Sequence, residues 1–364
     1  MKRFIHRESG VGRFHIGSML VFVTAAILSV TLLSMSPAKG EDSPLKRFEF
    51  VQIRMGVPVR MTVYASESSL AIQATDAAYA RIKDLDRSLS DYNPESELNH
   101  LCQHPHGEPV AVSDDLWKML ELSQFYSCKS DGAFDATIGP VIKLWRVARR
   151  KKALPDPERL KNAMNSVGYQ FVKLDPSRKT ATLLKPGMQL DFGGIAKGYA
   201  ADEAFKVLLE HGLSTSLVAV AGEIRAGDPP PGRSGWKVEI EDRGRNPPPD
   251  HRPLVLILRQ QAVSTSGDTY QFLELDGVRY SHIVDPKIGI GLTTPGSVTI
   301  ISTNCTQTDA LATVVSVLGP EKGFEVLKQF PETVGLFVQL NPQGTPVVTP
   351  SPGWAEFVQS LPDE

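Results

Sequence analysis

The stretch Leu190-Asp-Phe-Gly-Gly-Ile-Ala-Lys-Gly-Tyr-Ala200 carries the reading of this chain. Met188–Asp191 reads as a short strand. Ile195–His211 repeats apolar residues at helical spacing and stops at Gly212. Gly193-Gly194 falls at the junction, where free backbone N–H groups can face an anion, and Lys197 adds a point charge. The spacing is neither a P-loop nor a GxGxxG fingerprint, so taken alone the glycine pair is also a plain tight turn. On both sides strands and helices mix without a regular βαβ rhythm. The fold class expected is α+β, with mixed sheets and packed helices, rather than a doubly wound α/β sheet.

Upstream, 48–53 and 58–65 alternate like paired strands around Met55-Gly56, and 69–89 has helical spacing. Ser113-Asp-Asp starts another helix. The run 146–152 (RVARRKK) reads as solvated surface, and 156–167 as a short helix. Strands are expected at 171–174 and 180–184. Downstream, strands are expected at 217–220, 236–240, 254–258, 298–302 and 334–339. Residues 242–253 form a Pro/Arg-rich loop. Phe272–Leu275 and Val278–Ile283 form a hairpin turning on Asp276-Gly277. Helices over 307–318 and 321–330 flank Gly319-Pro320, and 341–353 is a Pro/Thr/Ser-rich tail.

The chain has 364 residues and a formal net charge of −2, which argues against a nucleic-acid binder relying on bulk positive charge. Cys102, Cys128 and Cys305 are too few for a disulfide framework and lack zinc spacing, although one disulfide is possible in an oxidising compartment. Lys2, Arg3, Arg7 and Arg13 precede a charge-free run from Ile16 to Ser36. That pattern is an export signal, with an Ala-x-Gly cleavage site after Gly40, or a retained membrane anchor. Both readings put the remainder outside the cytoplasm, in the periplasm or on the outer face of the membrane. The expected divisions are a signal or anchor over 1–40, a catalytic unit over 41–345 and a C-terminal tail over 346–364.

Three further segments bear chemistry. In Thr308-Asp-Ala-Leu-Ala-Thr313, Asp309 and Thr313 are one helical turn apart, a carboxylate and a hydroxyl suited to a hard cation such as Mg²⁺. Alone, Asp309 reads first as a cap or balance to the helix start. In Ser281-His-Ile-Val-Asp-Pro286, His282 ends a strand, with Asp285 close enough to orient it or to act itself. Thr265-Ser-Gly-Asp268 is a polar turn able to donate hydroxyl hydrogen bonds.

Together these motifs resemble the ApbE family of flavin transferases (FAD:protein FMN transferase). The matching segments are Met55-Gly-Val-Pro58, Ser90–Asn99, Asp131–Pro140, Leu190–Tyr199, Ser264–Asp268, Ser281–Pro286, and Thr308–Thr313 with Val317–Lys322. They follow the family's order over roughly residues 48–340. The resemblance implies that FAD is bound as substrate and that FMN passes to a threonine hydroxyl of an exported or membrane partner protein, with AMP released. It implies Mg²⁺ held by Asp309, Thr313 and the Gly194 carbonyl. It implies an FAD site lined by Met55, Tyr92, Ala133, Phe134, Asp135, Asp191 and Lys197, and His282 with Asp285 as the candidate base.

Two segments depart from the family pattern. The usual Gly-Gly-Asp reads Ala221-Gly-Glu223, and the usual Thr-Gly-x-Pro reads Ile288-Gly-Ile-Gly291. These departures point to altered acceptor choice or to FAD hydrolysis in competition with transfer. Thr180-Ala-Thr182 faintly echoes an acceptor tail, but it carries Ser177 where the pattern has Asp and reads as a strand. The acceptor is therefore expected in another chain. The alternatives are an Mg²⁺-dependent FAD pyrophosphatase and a non-enzymatic exported flavin carrier.

Overall fold

The computed structural model describes residues 44–240, 254–267, 271–341 and 345–360. The export segment, the loop over 242–253 and Asp268 lie outside the described residues.

β1 (Lys46–Arg54) and β2 (Val57–Ala65) form a hairpin. Its turn residues, Met55 and Gly56, have φ of 49° and 73°, a twist that matches the flanking strands. α1 (Ser68–Leu89) buries Ala71, Ala74, Ala78, Ile82, Leu85 and Leu89 along one face. α2 (Glu97–Gln103) is capped by Ser96, and β3 (Val110–Ala111) follows. α3 (Asp114–Lys129) is capped by Ser113, whose hydroxyl accepts from Leu116 N–H. α4 (Gly139–Lys151) has Pro140 in its first turn, where a missing N–H costs nothing. α5 (Pro157–Met164) leads to β4 (Val172–Asp175) and β5 (Thr180–Leu183). β5 pairs with β3 on one side and β4 on the other, so Thr180 and Thr182 sit in a paired strand.

α6 (Ala196–Glu210) precedes the hairpin of β6 (Ser216–Val220) and β7 (Glu223–Ala226). β8 (Trp236–Ile240) pairs with β9 (Leu254–Leu258), and β10 (Ala262–Gly267) follows. β11 (Phe272–Leu275) and β12 (Val278–Ser281) turn on Asp276-Gly277, with φ of 49° and 75°. β13 (Val284–Asp285) pairs with β14 (Ile290–Gly291). β15 (Gly296–Ser302) leads to α7 (Cys305–Leu327), which breaks at Gly319, φ 75°, before Pro320. β16 (Val334–Leu340), β17 (Pro346–Pro350) and α8 (Trp354–Ser360) complete the chain.

The main sheet has eight antiparallel strands in the order β1-β2-β6-β7-β10-β15-β16-β17. On one face α1, α6 and α7 bury the main core, with Met61, Ile82, Phe192, Ala204, Val218, Leu311 and Val315 among its members. On the other face a smaller core joins β8 and β9 to the sheet through Trp236, Leu256, Ile301 and Leu336. A third cluster packs Val141, Trp145 and Ala148 of α4 against Leu273 and Val284. This is the α+β architecture expected. Among the described residues no helix is long and apolar enough to cross a membrane.

Several local expectations change. Met188–Asp191 is not a strand; only Gln189 bridges, to Ile138, and the Asp191 N–H donates to the Ala136 carbonyl at 2.8 Å. The polar turn expected at Thr265 lies within β10 up to Gly267, since Ser264 and Thr265 pair with Ile300 and Thr299. The C-terminal stretch is not only a tail: β17 pairs with β16, and Trp354 of α8 is buried in the second core. The basic run is the end of α4, whose Val141, Trp145 and Ala148 face the third cluster, and Arg146 within it is drawn in by Asp91 and Asp191. Cys102, Cys128 and Cys305 are all free thiols.

Candidate active site

The start of α6 lies against the start of α7, and glycine permits the approach. A Cβ at Gly198 would lie 2.7 Å from the Cys305 carbonyl carbon and 2.8 Å from Asp309 Cβ. Instead, Gly198 N–H donates to Asp309 Oδ2 at 2.9 Å. α7 is anchored from below by Asp202 of α6, whose carboxylate accepts from Cys305 N–H at 2.9 Å and Thr306 N–H at 2.7 Å. Ser264 and Thr308 share a hydrogen bond of 2.7 Å, which ties α7 to β10. Asp309 is 1 % exposed and thereby fixed in place.

Lys197 joins three elements. Its Nζ donates to Glu223 Oε1 of β7 at 2.7 Å and lies 3.5 Å from Asp309 Oδ1 of α7. Burial disfavours the Lys197 ammonium, but Asp309 and Glu223 outweigh it and hold the group charged. Glu223 is pushed up to about 7 by burial, with Lys197 opposing and Asp309 adding to the rise. Its second oxygen, Oε2, is buried with no hydrogen-bond partner among the described residues. One turn along α7 from Asp309, Thr313 Oγ1 lies 2.8 Å from where a Cβ on Gly194 would sit, and Phe134 Cε2 lies 3.4 Å from it. Gly194, Thr313 and Phe134 therefore meet only because residue 194 is glycine.

Asp191 fixes the glycine turn. Its Oδ1 accepts from Gly193 N–H and its Oδ2 from Arg146 Nη2, both at 2.7 Å. Burial and the nearby Asp91 push the Asp191 carboxyl up, while Arg146 opposes them. Arg146 also pairs with Asp91 and covers the Tyr92 ring, its guanidinium carbon 4.0 Å from the ring centroid. Tyr92 itself is 74 % exposed.

His282 follows β12. Its backbone N–H and its ring Nδ1 both face the Gln271 carbonyl, the ring at 3.2 Å. A carbonyl only accepts, so Nδ1 carries the proton and Nε2 keeps its lone pair. Burial, with Arg149 and Lys197 adding, pushes the imidazole down to about 4, against a weaker opposing pull from the Gln271 carbonyl. At neutral pH His282 is therefore in the form that can accept a proton.

The ApbE family model matches residues 55–338, which spans every group above. The chain belongs to the ApbE family. An FAD:protein FMN transferase of Treponema pallidum is 33% identical over 317 residues, covering 82% of this chain and 86% of that one. One from Klebsiella pneumoniae is 29% identical over 297 residues, covering 81% and 90%. The apo structure of the Pseudomonas stutzeri flavinyl transferase ApbE superposes with a TM-score of 0.77 at 28% identity, covering 87% of this chain and 98% of that one. The Vibrio cholerae flavin transferase ApbE gives a TM-score of 0.76 at 25% identity, covering 86% and 99%.

Against the ApbE expectations, the structure brings together Gly194, Lys197, Asp309, Thr313 and Phe134. Asp135 is committed elsewhere: its Oδ1 accepts from Thr137 N–H and Oγ1, and its Oδ2 from Tyr169 N–H at 2.9 Å. It shapes the turn that carries the buried Ala133 and Phe134. Met55, in the β1–β2 turn, packs at the edge of the main core. Asp285 does not orient His282: no hydrogen bond or ion pair joins them among the described residues. The Asp285 carboxylate accepts from Lys287 N–H at 2.8 Å, as a short acid before a turn commonly does. The sequence reading missed Glu223 as a working carboxylate, because it registered only as a departure from the usual Asp. It also missed Arg146, which a count of basic residues hides within a surface run.

Proposed function

We propose that this chain is an FAD:protein FMN transferase that moves FMN from FAD to a threonine hydroxyl of a partner protein with the help of Mg²⁺. The observation that carries this reading is the buried junction of α6 and α7, where Gly194, Lys197, Asp309 and Thr313 meet inside the family match. Its donors fit a hard cation, since carboxylate, hydroxyl and carbonyl are all oxygen ligands. The buried Oε2 of Glu223, without a hydrogen-bond partner among the described residues, keeps lone pairs free to face a cation. Asp309, Thr313 and the Gly194 carbonyl would hold Mg²⁺, which would supply neutralisation of charge on phosphate oxygens.

The chain's own residues do the rest. Lys197 orients the substrate phosphates as a fixed cation at the start of α6. His282 Nε2 takes the proton from the acceptor hydroxyl, a poor nucleophile at neutral pH without a base. The hydroxyl oxygen bonds to the FMN-side phosphorus as the bond from that phosphorus to the bridging oxygen breaks, and AMP leaves with the bridging oxygen. The acceptor is a separate chain: Thr180 and Thr182 are held in β5 by pairing on both sides. The basic residues and apolar run at the N-terminus support a site of action outside the cytoplasm.

The test is incubation of the protein with FAD, Mg²⁺ and exported redox proteins, read by in-gel flavin fluorescence and intact mass. A partner gaining the mass of FMN less water, and no gain with Asp309→Ala, is the expected result. Free FMN and AMP without a labelled protein would replace the reading with a pyrophosphatase. FAD left whole would leave a carrier.

A further inference from the structure

Arg146 lies in none of the segments that carry the family likeness, yet it touches three groups around the site. It is only 19 % exposed at its side chain and its two terminal nitrogens serve different loops. Nη1 pairs with Asp91, beside Tyr92, and Nη2 donates to Asp191 Oδ2 at 2.7 Å. The guanidinium carbon lies over the Tyr92 ring, 4.0 Å from its centroid. Asp191 spends its other oxygen on Gly193 N–H at 2.7 Å, and the next residue is Gly194, against Thr313. An unbroken chain of contacts thus runs from an exposed aromatic ring through Arg146 and Asp191 to the glycine turn.

The arrangement gives Tyr92 an unusual state for an exposed side chain. A solvent-facing tyrosine ordinarily samples several rotamers. Here a partly buried cation backs one face of the ring, and the ring is 74 % exposed. Such a platform suits a flat, conjugated ligand, because stacking on it needs no ordering of the ring at the moment of binding. Lysine could supply the charge at 146 but neither the planar face nor the two-pronged fork.

We propose that Arg146 is a positioning residue, which holds Tyr92 as a preformed stacking surface for the isoalloxazine ring and locks that surface to the Gly193-Gly194 turn. This deepens the transferase reading and rests on it. The flavin ring end and the phosphate end of the substrate are then held in one register by a single guanidinium. α4 is itself fixed from the far side, as Trp145 Nε1–H donates to the Gly289 carbonyl at 2.8 Å.

The test compares ligands that contain the ring with one that lacks it. Binding of FAD, FMN and ADP to the full chain is measured in EDTA, by flavin fluorescence for the first two and calorimetry for ADP. Arg146→Lys, Arg146→Ala, Tyr92→Leu and the double variant Arg146→Lys/Tyr92→Leu are used. Arg146→Lys should weaken FAD and FMN about tenfold, the order of one partly desolvated cation–π contact, and weaken ADP, which meets only the turn, by clearly less. Tyr92→Leu, at an exposed position, should lose a similar factor, and the double variant little more than either single one, since both break the same platform. Full multiplication of the two losses, or equal weakening of ADP and FMN, would overturn the proposal. Wild-type protein that fails to bind FAD at all would remove the transferase reading as well. Normal wild-type binding with an unaffected Arg146→Lys would remove only this inference. Thermal melts of each variant separate lost binding from lost folding, and Tyr92→Leu keeps the test open if Arg146→Ala does not fold.

Discussion

Gly198→Ala adds one methyl group at the tightest point between α6 and α7. The new carbon would lie 2.7 Å from the Cys305 carbonyl carbon and 2.8 Å from Asp309 Cβ. Carbon atoms prefer about 3.5–4.0 Å, so the helices must part by about 1 Å. Overpacking of this kind costs about 1–3 kcal/mol. Stretching the bond from Gly198 N–H to the Asp309 carboxylate, now 2.9 Å, adds about 1–2 kcal/mol. Alanine returns about 1 kcal/mol through its higher helix propensity. The net loss is about 1–4 kcal/mol, or roughly 2–6 °C in melting temperature for a chain of this size. Asp309 would move relative to Thr313 and Gly194 by a fraction of that 1 Å, and misplacement on this scale can cost about 100-fold in rate. Thermal unfolding in EDTA and initial rates of flavin transfer over a Mg²⁺ series measure both effects. Lys206→Ala, at an exposed position on α6, is the control and should shift stability by less than about 0.5 kcal/mol. A Gly198→Ala protein with the wild-type melting temperature and Mg²⁺ dependence would refute the packing argument.

Two other outcomes follow from the electrostatics. Lys197→Met leaves the carboxylates of Glu223 and Asp309 without their shared cation, and removing one member of a buried charge cluster costs about 3–5 kcal/mol. Mg²⁺ should then raise the melting temperature by more than it does in wild type, and an equal rise in both would show that the cation does not bind beside these groups. The folded-state value of His282, about 4, lies below the ordinary 6.5, so the unfolded chain takes up this proton first on acidification. Stability should fall as pH drops from about 6.5 to about 4 and level off below, and His282→Gln should flatten that slope. The transfer rate should show no inflection from this group near 6.5, and His282→Ala should lower it about 10²–10⁴-fold at pH 7. Full transfer by His282→Ala would remove the base.

The order of elements was legible because its signals are local. Met55-Gly56 and Asp276-Gly277 supply the positive φ of tight hairpins, and Gly319-Pro320 interrupts a helix whatever surrounds it. Helix spacing exposed α1 and α6, because 3.6-residue periodicity survives in any sequence that buries one face. α4 escaped notice since Gly139-Pro140 looks like a breaker, although proline is well suited to a first turn. β7 and β17 are short, and what makes them strands is pairing: β17 lies along its neighbour β16, and β7 lies between β6 and the distant β10.

Within the site, sequence alone determined which residues have suitable chemistry. Asp309 and Thr313 share a helix face by arithmetic, and Gly193-Gly194 before a helix marks a turn able to face an anion, though glycines at a plain tight turn would look the same. Only the tertiary structure decided what each group has left to give. Asp135, Asp191 and Asp285 look alike as carboxylates, yet both oxygens of Asp135 and Asp191 are taken by backbone N–H groups, the Thr137 hydroxyl or Arg146, whereas among the described residues Asp285 gives only Oδ1 to the Lys287 N–H. Glu223 and Arg146 looked like a departure and a surface charge, and are instead a partner of Lys197 and the support of Tyr92. The reason is physical: a side chain's chemistry is fixed by its atoms, but its free lone pairs, its charge and its neighbours depend on burial and on residues more than 100 positions away, as between Gly198 and Asp309, 111 apart.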